Sequence, residues 1–150
     1  MALRPDRNEH LTDLSFFMNA TAERGILVSA TTQGSGAAMD DSNAAVKVPT
    51  TETDKPVGIL LNDVVNLDLT RQHINYAKDE VQQGSKVLLL RVGTVVTDQI
   101  SGAITMGDAA HFNIGGTLCA ATASSTSPVV GRWLSKKDAD GFAKVAINIV

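Results

Sequence analysis

Three things are scarce in this sequence, and each scarcity closes off a class of function. A single cysteine, Cys119, leaves no partner for an intrachain disulfide and no ligand set for a thiolate zinc cluster. Aromatic residues make up 4% of the chain, so the core must be built from Val, Ile, Leu and Ala. The lone Trp133 and Tyr76 offer no stacking ladder of the kind that holds single-stranded nucleic acid. Positive charge is also short: 13 Lys and Arg stand against 16 Asp and Glu, for a net charge of −3. Phosphate neutralisation needs clustered cations, so nonspecific nucleic-acid binding is excluded. No apolar run approaches the ~20 residues of a membrane-spanning helix. The opening MALRPDRNEH is charged where an export signal would turn apolar, so the expectation is a protein made and kept in a cytoplasm. The Asn19-Ala20-Thr21 sequon then carries no meaning.

What is present is an ordinary globular balance. The chain has 150 residues, 43% of them hydrophobic and 19% charged. That is one domain, able to bury about two thirds of its unfolded surface without staples.

The punctuation is that of an all-β protein. After Gly84, glycines at 93, 102, 107, 115, 116, 131 and 141 separate short apolar segments at 86–92, 94–98, 103–106, 110–114, 117–123, 128–134 and 142–150. Strands at this spacing, with Gly and Asp turns, predict a compact small β-barrel or sandwich. Earlier strands are expected at 25–32, at 45–48 ending on Pro49, and at 56–61. The Gly/Ser stretch 33–43 lacks the Lys and the following helix of a phosphate-binding loop. Residues 62–83 have no settled period and stay unassigned. In the last strand Ala143, Val145, Ile147 and Ile149 share one face, opposite Lys144 and Asn148. Lys86–Val92 is apolar on both faces, so it is covered on both sides or lies at a subunit interface. Val57-Gly58-Ile59-Leu60-Leu61 echoes Val130-Gly131-Arg132-Trp133-Leu134, either by chance or as two equivalent strands. The expected organisation is an N-terminal arm, 1–24, and a β-rich domain, 25–150. Within the latter, 25–55 supplies peripheral strands and the Gly/Ser loop, and 56–150 the main barrel.

The arm has two readings. Leu11, Leu14, Met18 and Ala22 recur at helical spacing beside Phe17, with Asp6 and Glu9 as a capping-box start and Gly25 as a stop. Ser15, Asn19 and Thr21 weaken a helix, and Phe16 falls off the stripe, which favours an extended arm. Either way the apolar cluster must dock, on its own domain or on a partner subunit. Leu11, Leu14, Phe16, Phe17 and Met18 are the candidate partner-interface residues.

No constellation for catalysis or metal binding emerges. His10, His73 and His111 are far apart and form no spaced ligand pair. There is no Gly-x-Ser-x-Gly elbow. Asp138-x-Asp140-Gly141 lacks the remaining ligands of a calcium loop and reads as a hairpin turn. Asp63 with Asp68, and Asp79 with Glu80, read as solvated acids, and Cys119 as an inert core thiol. No catalytic, cofactor or metal residue is therefore assigned, and the chain is expected to bind or build, not to catalyse.

The path from PVGILLNDVVNLDLTRQH through KDEVQQGSKVLLLRVGTVVTDQI to VVGRWLSKKDADGFAKVAINIV resembles the head decoration, or capsid cement, proteins of tailed bacteriophages. The likeness covers roughly 56–150, with the N-terminal arm added more loosely. It implies a structural virion protein on the outer capsid face that bridges major capsid protein subunits, commonly as a homotrimer and in some cases as a dimer. The family has no cofactor and no catalytic residues to carry over. An acidic surface agrees, since it is not drawn to packaged DNA. The rivals are another virion component, such as a head-fibre base or tail module, and an oligomeric β-barrel enzyme with a polar pocket at a subunit boundary.

Overall fold

The computed structural model describes residues 3–31, 45–63, 80–120 and 127–149. They form twelve strands and, among the described residues, no helix. These are β1 (Asn8–Asp13), β2 (Phe17–Met18), β3 (Ala22–Glu23), β4 (Leu27–Ala30), β5 (Ala45–Lys47) and β6 (Pro56–Asp63). They continue with β7 (Glu80–Val81), β8 (Val87–Thr97), β9 (Ala109–Phe112), β10 (Leu118–Ala120), β11 (Gly131–Trp133) and β12 (Ala143–Asn148). Ten strands make one sheet in the order β10-β9-β11-β12-β8-β6-β4-β5-β2, with β1 alongside β8, and β3 pairs with β7 in a small second sheet. Only the β2–β5 pairing is parallel among the described strands. Of the two architectures left open by the sequence, this is a sandwich; no closed barrel forms among the described residues, because β10 and β2 end the path without meeting.

The spine is β8. Two strands were expected here, broken at Gly93, but the chain runs through as one strand of 11 residues. Gly93 turns the strand without ending it: at φ +151° it takes a backbone conformation other residues rarely adopt. The register shows how the sheet branches. Leu89 and Leu90 each pair with both β1 and β6, whereas Gly93 and Thr94 each pair with both β1 and β12. A strand has two edges, so β1 occupies one throughout, and β6 and β12 share the other, one after the other.

That branching explains the two-sided apolar run. Val87 and Leu89 enter one hydrophobic cluster, with Val28, Leu60, Val46 and Met18. Leu90 enters the other, with Leu27, Ile59, Phe112 and Trp133, and beyond Gly93 Val95 joins that same cluster. Neighbours in sequence such as Leu27 and Val28, or Ile59 and Leu60, thus serve opposite cores, and all four are fully buried. The strand is covered on both sides within one chain.

Other expectations sort as follows. In β12 Ala143, Val145 and Ile147 are buried, as is Ile149 just after it, and Asn148 is exposed, as the alternation predicts. Residues 103–106 form no strand: they lead into a turn in which Gly107 N–H donates to Trp133 O, and only Ile104 is buried. The Gly/Ser stretch 33–43, His73 and most of 62–83 lie outside the described residues. The echo between β6 and β11 has a physical basis. A Cβ on Gly58 would sit 2.8 Å from Leu90 O, and one on Gly131 would overlap Ala146 O. In both strands the glycine lets a neighbouring backbone carbonyl lie flush.

Candidate functional site

Residues 3–18 are an extended strap along the whole free edge of β8. The strap starts where Leu3 bridges Thr97 and Arg4 N–H donates to Val96 O (3.0 Å). It continues through β1, paired from Asn8↔Thr94 to Asp13↔Leu89. Phe16 O then accepts from Val87 N–H (3.0 Å), Phe17 bridges Lys86, and Met18 N–H donates to Ser85 O (2.9 Å). The helical stripe in this segment therefore does not become a helix. A long strand with unsatisfied edge groups offers the strap a ladder of backbone hydrogen bonds, and pairing there outweighs a weak local helix preference.

Strand pairing distributes the five candidate interface residues differently from a helix face. Met18 is 1% exposed and packs in this chain's own second cluster, where Phe16 joins it partly buried. Leu14 and Phe17 are half-buried, with Lys86 Nζ 5.2 Å from the Phe17 ring centre. Only Leu11, 45% exposed, stands clear of the surface. Sequence reasoning passed over three further exposed apolar side chains: Met106, Ile114 and Val129, at 72%, 64% and 61%. Met106 stands at the turn completed by Gly107, and Ile114 precedes the Gly115-Gly116 turn, whose Gly115 N–H donates to Pro49 O. The signal was in the sequence, since large apolar residues beside turn glycines stand where polar ones are the rule.

Charged side chains clamp the first part of the strap, residues 3–13, near both its ends. The Arg4 guanidinium lies 4.2 Å from the Phe142 ring centre and pairs with Asp140 (3.0 Å) and Asp138 (3.4 Å). Asp138 also accepts from the N–H groups of Phe142 and Asp140, both at 2.9 Å. The Phe142 N–H foremost, aided by Arg4, holds the Asp138 carboxyl below its usual range. This is the hairpin turn expected at 138–141, closed by Gly141 at φ +86°. At the other end Arg91 pairs with Asp13 (3.2 Å). Burial pushes the Asp13 carboxyl up, but hydrogen bonds from Ser15 and from Arg91 outweigh it, and the net direction is down.

His111 donates Nδ1–H to Ser127 O (2.8 Å), and His10 lies on exposed β1. Burial, with a smaller push from Glu52, raises the Cys119 thiol, which suits an inert core position. Among the described residues no group of His, Cys, Asp and Glu converges as a metal site. Asp54 anchors the turn before β6. Burial pushes its carboxyl up, but the N–H groups of Thr50 and Thr51 and the Lys47 ammonium prevail and lower it to about 2. A depressed carboxylate stabilises the fold above its ordinary value, and that contribution is lost as pH falls toward its folded value. Asp54→Asn is therefore expected to lower the urea midpoint at neutral pH, with the gap to wild type closing between the ordinary value of 3.8 and about 2. A gap that stays constant across that range counts against the assignment.

Exposed apolar tips and a clamped strap are features that suit contact with another surface. Comparison with known proteins decides which kind. Residues 11–148 match the phage family described as "Structural cement protein (E217 gp24/Pam3 gp6)". The chain belongs to that family. It is a structural protein of the virion, associated with the capsid, as the resemblance over 56–150 implied. The cement-family match also takes in the second half of the strap, from Leu11 onward. No curated protein matches the chain. Among solved structures it is similar to the head fibre gp8.5 N base of bacteriophage phi29, at 15% identity and a TM-score of 0.52. That likeness covers 95% of this chain and 94% of the other, and it is one of fold.

Proposed function

We propose that this cement protein sits on the outer face of the capsid and bridges neighbouring major capsid protein subunits, as a homotrimer, with a dimer as the alternative assembly. The family match over 11–148 carries this reading. The surface supports it. Leu11, Met106, Ile114 and Val129 project from separate points of a two-core domain. Fully burying one such side chain is worth about 1.5–3 kcal/mol. Several contacts per copy, repeated over a closed shell, then hold through avidity without any bond being made or broken.

The test is cosedimentation with capsids assembled without the protein, followed by heating of the loaded and bare shells. Wild type is expected to bind and to raise the temperature at which shells rupture. An Ile114→Asp, Val129→Asp double variant is expected to bind at least about tenfold more weakly, the loss of roughly 1.4 kcal/mol, with an unchanged melting curve of its own. Equal binding by the variant, or shells no sturdier when loaded, counts against the reading. A second reading, a base for a head fibre, draws on the fold shared with the phi29 gp8.5 N base. Electron microscopy of labelled particles separates the two by position.

A further inference from the structure

The strap is attached to its domain in an unusual way. In β1 every residue but Asp13 is exposed, so the strand adds almost nothing to either core. Leu3, 7% exposed, is the one apolar side chain that residues 3–13 bury. The attachment otherwise rests on backbone pairing to β8, on the two charged clamps, Arg4 on Asp138, Asp140 and Phe142, and Asp13 on Arg91, and on a longer ion pair from Lys144 to Asp6 (3.8 Å).

The slot, in turn, is specific to this strap. A Cβ on Gly93 would overlap Asn8 O, so that glycine opens the room through which the strap's backbone passes. The clamp residues Arg91, Asp138 and Phe142 all belong to the domain, and none belongs to the strap. An identical slot on a second copy would take an identical strap with every contact regained. The joint between β1 and β2 is short: Leu14 and Ser15 carry no strand pairing, and Ser15 N–H donates to Asp13 Oδ1 (2.8 Å) in a tight turn. Tight hinges beside an exchangeable element favour domain swapping.

We propose that copies of this protein exchange straps, residues 3–13 of one chain lying in the β8 slot of another. Opening the turn at Leu14 and Ser15 lets the strand leave as a unit, and both cores keep every buried side chain except Leu3, which inserts into the neighbour instead. Exchange ties copies together through backbone hydrogen bonds, independently of what the apolar tips touch. It is a property of the free protein and does not rest on capsid docking.

Disulfide trapping tests it. Asn8 and Thr94 are direct partners in the β1–β8 register, so a bond between cysteines at those positions reports a strap in its slot. In a Cys119→Ala background, Asn8→Cys chains and Thr94→Cys chains are produced together and oxidised without capsids. The expected product is a species of twice the chain mass on a non-reducing gel, absent when Asn8→Cys is paired with Thr51→Cys in an exposed turn. The double variant Asn8→Cys/Thr94→Cys is expected to give covalent multimers. If it gives only a compact crosslinked monomer, and the mixed single variants give no more dimer than the control pair, the strap stays at home and the proposal is wrong. Should cysteine at these positions prevent folding, the partner pair Leu11 and Val92 asks the same question with the same two outcomes.

Discussion

Trp133→Ala is expected to cost about 3–5 kcal/mol of unfolding free energy, as measured for large-to-small changes at fully buried aromatic positions. Trp133 is 0% exposed and lies in β11, between β9 and β12, at the centre of the larger core. The other aromatic ring of that core, Phe112, is itself fully buried, so it cannot fill the space without vacating its own place. Its indole Nε1–H also donates to Cys119 O (3.3 Å), tying β11 to β10 across the sheet path. Domains of this kind have about 5–15 kcal/mol of stability to lose. The change therefore removes at least about a fifth of it and lowers the melting temperature by roughly 10 °C. Trp133→Phe keeps most of the volume and loses the hydrogen bond, so it is expected to fall between the two. Since the substitution removes the only tryptophan, circular dichroism or calorimetry is the readout. A loss below about 1 kcal/mol would mean that the cavity collapses or that this core is not as packed as described.

The second large effect is expected at a residue with no side chain. Gly131→Ala places a Cβ against Ala146 O, with Ala146 C at 2.9 Å and Ile147 Cα at 3.1 Å. All three are backbone atoms of β12, so no rotamer relieves the overlap. The β11–β12 ladder must separate at Gly131↔Ile147, and β12 also holds the C-terminal half of β8. The variant is expected to lose cooperative unfolding or to accumulate as insoluble protein. Gly107→Ala is the comparison. There the glycine has φ +94° and nothing within 4 Å of an added Cβ, so the cost is only that of a left-handed alanine, about 1–2 kcal/mol. Soluble yield and thermal melts of the two variants side by side decide the matter, and equal behaviour would refute the close-approach account of Gly131.

The same contrast shows why some features were readable in the chain and others were not. The closing strand was readable because alternation of Ala143, Val145, Ile147 and Ile149 against Lys144 and Asn148 is a local code with a period of two. The two-sided run Lys86–Val92 was readable as covered on both sides or lying at a subunit interface, but not as one strand with 94–97, since a glycine in a strand can mark either its end or a bend within it. The strap was misleading in its period. Leu11, Leu14 and Met18 trace a helical stripe, yet Met18 is buried, Leu14 half-buried and Leu11 largely exposed, because the open edge of β8 sets the conformation. Residues 103–106 looked like a strand but form none, and they lead into the turn at Gly107.

From its residues alone, then, this protein reads as an acidic, all-β structural component with an apolar arm, because composition, turn chemistry and alternation act over a few residues. The tertiary structure alone decided that the arm lies as a strap on β8, that one long strand divides two cores, and which apolar tips face outward. Those outcomes depend on which edges and faces remain unfilled once distant segments have met, and no short stretch of chain encodes that.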